Sequence, residues 1–225
     1  VLELNQLLAG RTPGLPVIDL GIGQPDGSLP TVVQDLVVKP SGRLQRYPTS
    51  HGHMELRQTI SGWILARYGV TLSAENILVT HGSKIAVALA AAAFCQPGNT
   101  VVVPTPGYPT YRYAAQMAGA TVRFLTLEAP EFVIDESALE LAFSGAELAY
   151  LNFPSNPTGR CANRQTLQLA VDVARETGTI IVHDAAYLEL VYGGDGVSML
   201  SLEGAHDVVV EGHSLHILRV TETTL

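Results

Sequence analysis

Runs of β-branched residues alternate along this chain with longer stretches of helical periodicity, and that alternation restricts the chain to an α/β layering more than any other feature does. Strand-like runs stand at 76–80, 100–104, 121–127, 148–152, 179–184 and 207–211, with helix candidates among them at 82–94, 108–117, 136–143 and 163–176. Several runs are apolar almost throughout, VVV at 101–103 and TIIV at 179–182 among them. Strands of that kind are covered on both faces, as in parallel sheets flanked by helices. The pattern predicts an α/β domain with a mostly parallel, doubly wound sheet and helices on both faces. The Pro- and Gly-rich stretch 12–48 reads as an arm followed by one helix at 52–68. Residues 1–45 are therefore expected to form an N-terminal arm or small-domain segment, and residues 46–225 a large domain.

At 225 residues, 47% of them apolar and 15% charged, the chain can bury a sizeable core. A formal charge of −8 disfavours nucleic acid or an anionic membrane surface as the main partner, since both require clustered cations. The longest run of small apolar residues, 85–95, falls short of the about 20 residues that span a bilayer and reads instead as a buried helix. No charged-then-apolar leader stands at the start, although the first residue is Val1. Cys95 and Cys161 match no metal spacing and no disulfide framework, which suits a reducing, cytoplasmic setting. The lysines are Lys39 and Lys84 alone.

In a doubly wound sheet ligands sit beyond the carboxyl ends of the strands, so the residues just after each run carry the functional information. His81, Gly82, Ser83 and Lys84 open an Ala-rich helix. Gly allows close backbone approach, and first-turn N–H groups attract a phosphate, although Gly-Ser before a helix is also an ordinary cap. The next turn, PTPGYP at 104–109, projects Tyr108, either to stack on a flat ring or simply to pack. Asn156 lies between prolines in a loop that cannot continue the strand; its amide either faces a ligand or caps its own turn. Asp184 ends an apolar strand and Tyr187 follows it. A carboxylate placed there needs a partner, because burying it alone costs several kcal/mol. A protonated ring nitrogen, a magnesium ion and a helix cap are each suitable.

A dinucleotide site at 21–27 is rejected, because Pro25, Asp26 and Pro30 describe an irregular loop instead of the helix start that such a motif requires. Walker-type, zinc-pair and GxSxG patterns are missing from the sequence.

In order along the chain stand GIGQPD at 21–26, RYPTSHGHMELR at 46–57, THGSK at 80–84, PTPGYPTY at 104–111, NFPSNPTG at 152–159, HDAAY at 183–187 and GHSL at 212–215. Together they resemble the large domain of the class I/II aminotransferases, fold-type I enzymes that use pyridoxal 5'-phosphate, over nearly everything from Asp19 to Ser214. The resemblance implies that Gly82, Ser83 and Lys84 cradle the cofactor phosphate, that Ser214 adds a contact to it, and that Tyr108 stacks on the ring. It implies that Asn156 and Tyr187 hydrogen-bond the ring's phenolic oxygen while Asp184 pairs with the ring nitrogen. Gly23 matches the loop near the substrate carboxylate. Tyr47 matches a tyrosine that reaches the phosphate of the neighbouring subunit, which implies a homodimer. The implied reaction exchanges an amino group between an amino acid and a 2-oxo acid, with a leaning toward aspartate, aromatic or diaminopimelate-type substrates.

The chain departs from that family at one decisive place. Where the family continues from His-Ser-Leu to Ser-Lys, this chain reads His213, Ser214, Leu215, His216, Ile217, so isoleucine stands at the position of the lysine that bonds the cofactor. Residues 218–225 bear no likeness to the family's next segment, and the expectation is of a truncated copy, arising from a frameshift, a premature stop or a fragmentary gene model, inactive as written and poorly soluble or marginally stable alone. Two other readings stand beside it: a β-lyase or decarboxylase on the same scaffold, and a non-catalytic remnant or binding module.

Overall fold

The β-branched runs do become strands, and their register explains the core. A computed structural model of the chain describes residues 6–7, 9–10, 14–15, 30–38, 47, 49–194 and 196–214. The chain divides into two units, Val1–Val37 and Val38–Leu225. The described helix that begins in the first unit is α1 (Thr31–Val38), with Val32, Leu36 and Val37 exposed.

In the second unit, α2 (Met54–Tyr68) is followed by α3 (Ser83–Phe94), β1 (Thr100–Thr105), α4 (Pro109–Met117), β2 (Thr121–Thr126), α5 (Glu136–Phe143), β3 (Leu148–Leu151), α6 (Arg164–Thr177), β4 (Ile180–Asp184) and β5 (Val209–Gly212). The strands form one sheet in the order β2-β1-β3-β4-β5, and every pairing is parallel. Parallel strands need crossovers, which α4, α5 and α6 supply as far as β4, while 3₁₀ turns at Leu188–Leu190, Met199–Ser201 and Ala205–Asp207 lie on the way to β5.

Because successive strand side chains point to opposite faces, the valines of β1 divide between two cores. Val101 and Val103 join Leu148, Tyr150 and Val182 against Val87, Ala91 and Tyr111 of α3 and α4. Val102 joins Ala149, Leu151 and Ile181 against Leu139, Phe143, Ala170 and Val171 of α5 and α6. Helix starts follow their side chains: Asp135 accepts from the Ala138 N–H at 3.0 Å, and Asn163 accepts from the Thr166 N–H at 2.8 Å. Gly178, in the left-handed conformation with φ 73°, closes α6.

Two expectations are corrected. The run 76–80 is not a strand: a 3₁₀ turn at Ala74–Asn76 enters it, and no described strand lies beside it. Its Val79 N–H instead reaches the His51 carbonyl at 3.1 Å. The helix over 85–95 is not buried all round. Val87, Ala90 and Ala91 face the core, whereas Ile85, Leu89 and Phe94 are exposed. The small residues let one side of α3 lie close on its neighbours, while the larger apolar ones point away from the sheet.

The sequence of strands reverses direction between β1 and β3, and such a switch point opens a crevice at the carboxyl ends of the strands. The turn after β1, the loop after β3 and the ends of β4 and β5 all reach that edge.

Candidate active site

Asp184 is the last residue of β4 and is 6% exposed. Burial pushes its carboxyl above the usual carboxylate range, against the opposing pull of hydrogen bonds from Tyr111 and the Ala186 N–H and of the charge on His183. The buried Tyr111 hydroxyl donates to Asp184 Oδ2 at 2.8 Å, while Oδ1 receives only a long bond of 3.4 Å from the Ala186 N–H. One carboxylate oxygen is thus firmly held and the other is weakly engaged, which suits acceptance of a further, cationic donor. Tyr111 itself is fixed by stacking on Tyr150, with centroids 4.9 Å apart and planes at 13°.

The loop after β3 is tied to the same place. Asn152 donates through Nδ2 to the Asp184 carbonyl at 2.7 Å and accepts from the Asn156 N–H at 2.7 Å. One buried amide therefore sets the position of Asn156 against Asp184. The Asn156 side chain in turn lies 3.4 Å from the Tyr187 hydroxyl, to which its Nδ2 donates. An amide and a phenol converge there on one spot.

Tyr108 stands as the cap of α4, its ring 5.6 Å from that of Tyr111 at 79°. Gly107 precedes it because a Cβ at that position would overlap the Pro104 carbonyl oxygen. Lys84 holds its Nζ 5.9 Å from the centroid of the Tyr108 ring, an edge-of-range cation–π contact. Its helix, α3, begins after Gly82 (φ 91°) with no side-chain cap on its first-turn N–H groups, and Ser83 is its first residue. Those N–H groups and the positive end of the helix can receive an anion. Ser214 is buried just beyond β5, and Gly212 pairs in register with Asp184.

The sequence-predicted residues Gly82, Ser83, Lys84, Tyr108, Asn156, Asp184, Tyr187 and Ser214 all lie at or just beyond strand ends or a helix start of this one edge. Tyr47 is fully exposed, and Gly23 and Ile217 lie outside the described residues. Tyr111 and Asn152 support the site in addition to the residues predicted from sequence. Tyr111 follows Tyr108 by three positions, a spacing that shares a helix face and was the available signal. Asn152 gave none, since its role arises only when β3 meets β4.

Taken together, a weakly engaged buried carboxylate, an amide–phenol pair, an aromatic face and an uncapped helix start fit a flat heteroaromatic cation that carries an oxygen and a phosphate. In the unmodified chain, the Tyr111 hydroxyl steadies the ionised form of Asp184. Tyr111→Phe is expected to weaken binding of such a ligand by about tenfold, the loss typical of one hydrogen bond to a charged group. Isothermal titration checks this, and an affinity equal to the parent's would contradict it.

Fold and strand-edge cluster together define an α/β domain with a parallel sheet and a cluster of polar and aromatic side chains at its switch point. Residues 16–218 match the family described as aminotransferase class I and II, and the chain belongs to that family. It is 36% identical over 211 residues to an LL-diaminopimelate aminotransferase of Nitratidesulfovibrio vulgaris (strain DP4), covering 90% of this chain and 54% of that protein. It is 36% identical over 214 residues to the glutamate-pyruvate aminotransferase AlaC of Escherichia coli (strain K12), covering 92% of this chain and 52% of that protein. A solved aminotransferase structure from Staphylococcus aureus superposes with a TM-score of 0.83 at 30% identity, covering 92% of this chain and 56% of that one. The chain thus spans about half the length of the relatives it matches. No helix among the described residues is long and apolar enough to cross a membrane.

Proposed function

We propose that this chain is the pyridoxal 5'-phosphate-binding domain of an aminotransferase that exchanges an amino group between an amino acid and a 2-oxo acid. The observation that carries the reading is the convergence of Asp184, Asn156 and Tyr187 through Asn152. When bound, the cofactor supplies an electron sink for the carbanion left by loss of an amino acid's α-proton. Asp184 would pair with the ring nitrogen and keep its proton in place, since an adjacent carboxylate favours the charged form. Asn156 and Tyr187 would donate to the ring oxygen. Tyr108 would cover one face of the ring and exclude water from it. Gly82, Ser83, Lys84 and Ser214 would hold the phosphate as an anchor. Tyr47 would serve the neighbouring subunit of a cytoplasmic homodimer. The relatives named for LL-diaminopimelate and for glutamate and pyruvate favour small dicarboxylic or related amino acids as substrates.

A second reading rests on position 217. Isoleucine has no amine, and Lys39 and Lys84 are the only lysines. Because Lys84 belongs to the phosphate end of the proposed site, the chain as written holds the cofactor by non-covalent contacts and does not turn over. Incubation with pyridoxal 5'-phosphate followed by borohydride and intact mass measurement separates the two. The expected result is saturable binding that dialysis reverses, with no mass increase at the site. A covalent adduct mapped to Lys84 would overturn this second reading alone, and failure to bind at all would overturn both.

A further inference from the structure

His183 precedes Asp184 on β4 and is fully buried, yet both of its ring nitrogens face acceptors. Nδ1 lies 2.9 Å from Glu211 Oε2, and Nε2 lies 3.2 Å from the Phe153 carbonyl oxygen. A carbonyl oxygen has no proton to give. Glu211 has none to give either, because its carboxylate is surrounded by donors. Oε1 accepts from the Ser198 hydroxyl at 2.6 Å and lies 2.9 Å from His213 Nε2, and Oε2 accepts from the Met199 N–H at 2.6 Å and lies 2.9 Å from His183 Nδ1. A neutral imidazole offers one N–H and one lone pair, so either tautomer would set a lone pair against an oxygen. The imidazolium donates to both.

His213 extends the cluster toward α2. Its ring packs edge-on against Trp63, with centroids 5.5 Å apart, and lies 5.6 Å from Tyr68. The Tyr68 hydroxyl donates to Glu189 at 2.5 Å, and Glu189 also pairs with Arg67 at 3.1 Å, two residues beyond Tyr187. Among the described residues, the ionisable groups around His183 and Glu211 are therefore His213 beyond β5, Asp184 on β4 with Tyr111 of α4 bonded to it, and Tyr68 of α2 against His213.

We propose that His183, as a doubly protonated imidazolium, joins Glu211 and His213 in a buried ion network that locks the ends of β4 and β5 together. His183 and Glu211 are thereby positioning residues for Asp184 and Ser214, each of which immediately follows a histidine of the network. This deepens the reading of Asp184 and Ser214 as cofactor contacts and rests on it. A core filled with apolar residues would hold two strands together as well. A charged network adds a fixed orientation at the two points where the ring nitrogen and the phosphate would have to be met at once.

Nitrogen-15 NMR of the full chain labelled at histidine, with His183→Asn for assignment, reads the proton count directly. Both His183 nitrogens are expected to carry protons, one directed at Glu211 and one at the Phe153 carbonyl. In Glu211→Gln, His183 is expected to revert to a neutral ring, and the affinity for pyridoxamine 5'-phosphate to fall by about tenfold or more. His213→Gln, at the more open end of the network, gives a smaller loss in the same direction and stands in if Glu211→Gln fails to fold. A pyridine-type nitrogen on His183 in the parent chain would overturn the imidazolium. Unchanged affinity in both variants would overturn the positioning role. A parent chain that ignores pyridoxamine 5'-phosphate while His183 keeps both protons would overturn the functional reading and the positioning role with it, leaving the imidazolium established.

Discussion

Replacing Asp184 by Asn weakens the binding of pyridoxal 5'-phosphate by about 10- to 100-fold and raises the melting temperature of the cofactor-free chain. The first effect follows from loss of a charge-assisted bond to the ring nitrogen, worth about 1.5–3 kcal/mol. The second follows from the opposite balance when no cation is present. Burial holds the Asp184 carboxyl above the usual carboxylate range in spite of Tyr111 and Ala186. A carboxyl raised by folding favours the folded state while protonated, and that contribution is lost as pH climbs from the ordinary value through the raised one. At neutral pH the parent chain carries this cost and the amide does not. Each kcal/mol relieved appears as about 2–4 °C in a domain of this size. Calorimetric titration and thermal unfolding at neutral pH check the pair. Loss of affinity together with a lower melting temperature would mean that Asp184 supports the fold and not the ligand.

Glu211→Ala is expected to cause a large loss of stability. It leaves the buried His183 ring without its counter-charge and strips acceptors from Ser198, Met199 and His213. Removing one partner of a buried ion pair costs about 3–5 kcal/mol, which lowers the melting temperature by roughly 6–20 °C. The pH dependence has the opposite sign to that of Asp184. Burial alone would raise the Glu211 carboxyl, but hydrogen bonds and charge from His183 and His213 outweigh it and hold the group well below the usual carboxylate range. Its stabilisation is therefore complete above the ordinary glutamate value and lost as pH falls through the depressed one. Circular dichroism melts of parent and variant should differ most near neutrality and converge in acid, below about pH 4. A gap that stays constant into acid, or one of about 2 °C or less, would show that the network contributes little.

The layering was legible because β-branched runs and helical stretches have different periods. The α5 segment agrees with its sequence-based bounds at both ends, and the other helices and strands of the second unit do so within about two residues, the usual uncertainty of such ends. The run 76–80 failed because a strand is defined by its neighbours, and a β-prone segment without a described partner is only extended chain. The burial of α3 was overstated because composition reports how apolar a helix is and not which of its sides meets the core. The polar residues Asp184, Asn156 and Tyr187 stood out by their placement at the ends of apolar runs. Tyr111, Asn152 and the partners of Glu211 stayed hidden. Their roles exist only where β1, β3, β4 and β5 lie side by side, although a lone glutamate after the valines at 208–210 was a visible anomaly.

Pyridoxal 5'-phosphate labelled with nitrogen-15 in its ring, added to the chain above the pH at which the free cofactor gives up its ring proton, reports on that nitrogen alone. A pyridinium-type resonance with the parent chain that becomes pyridine-type with Asp184→Asn is the outcome required if this carboxylate holds a cationic ring. A pyridine-type resonance with the parent chain, or the same resonance with both proteins, would contradict it.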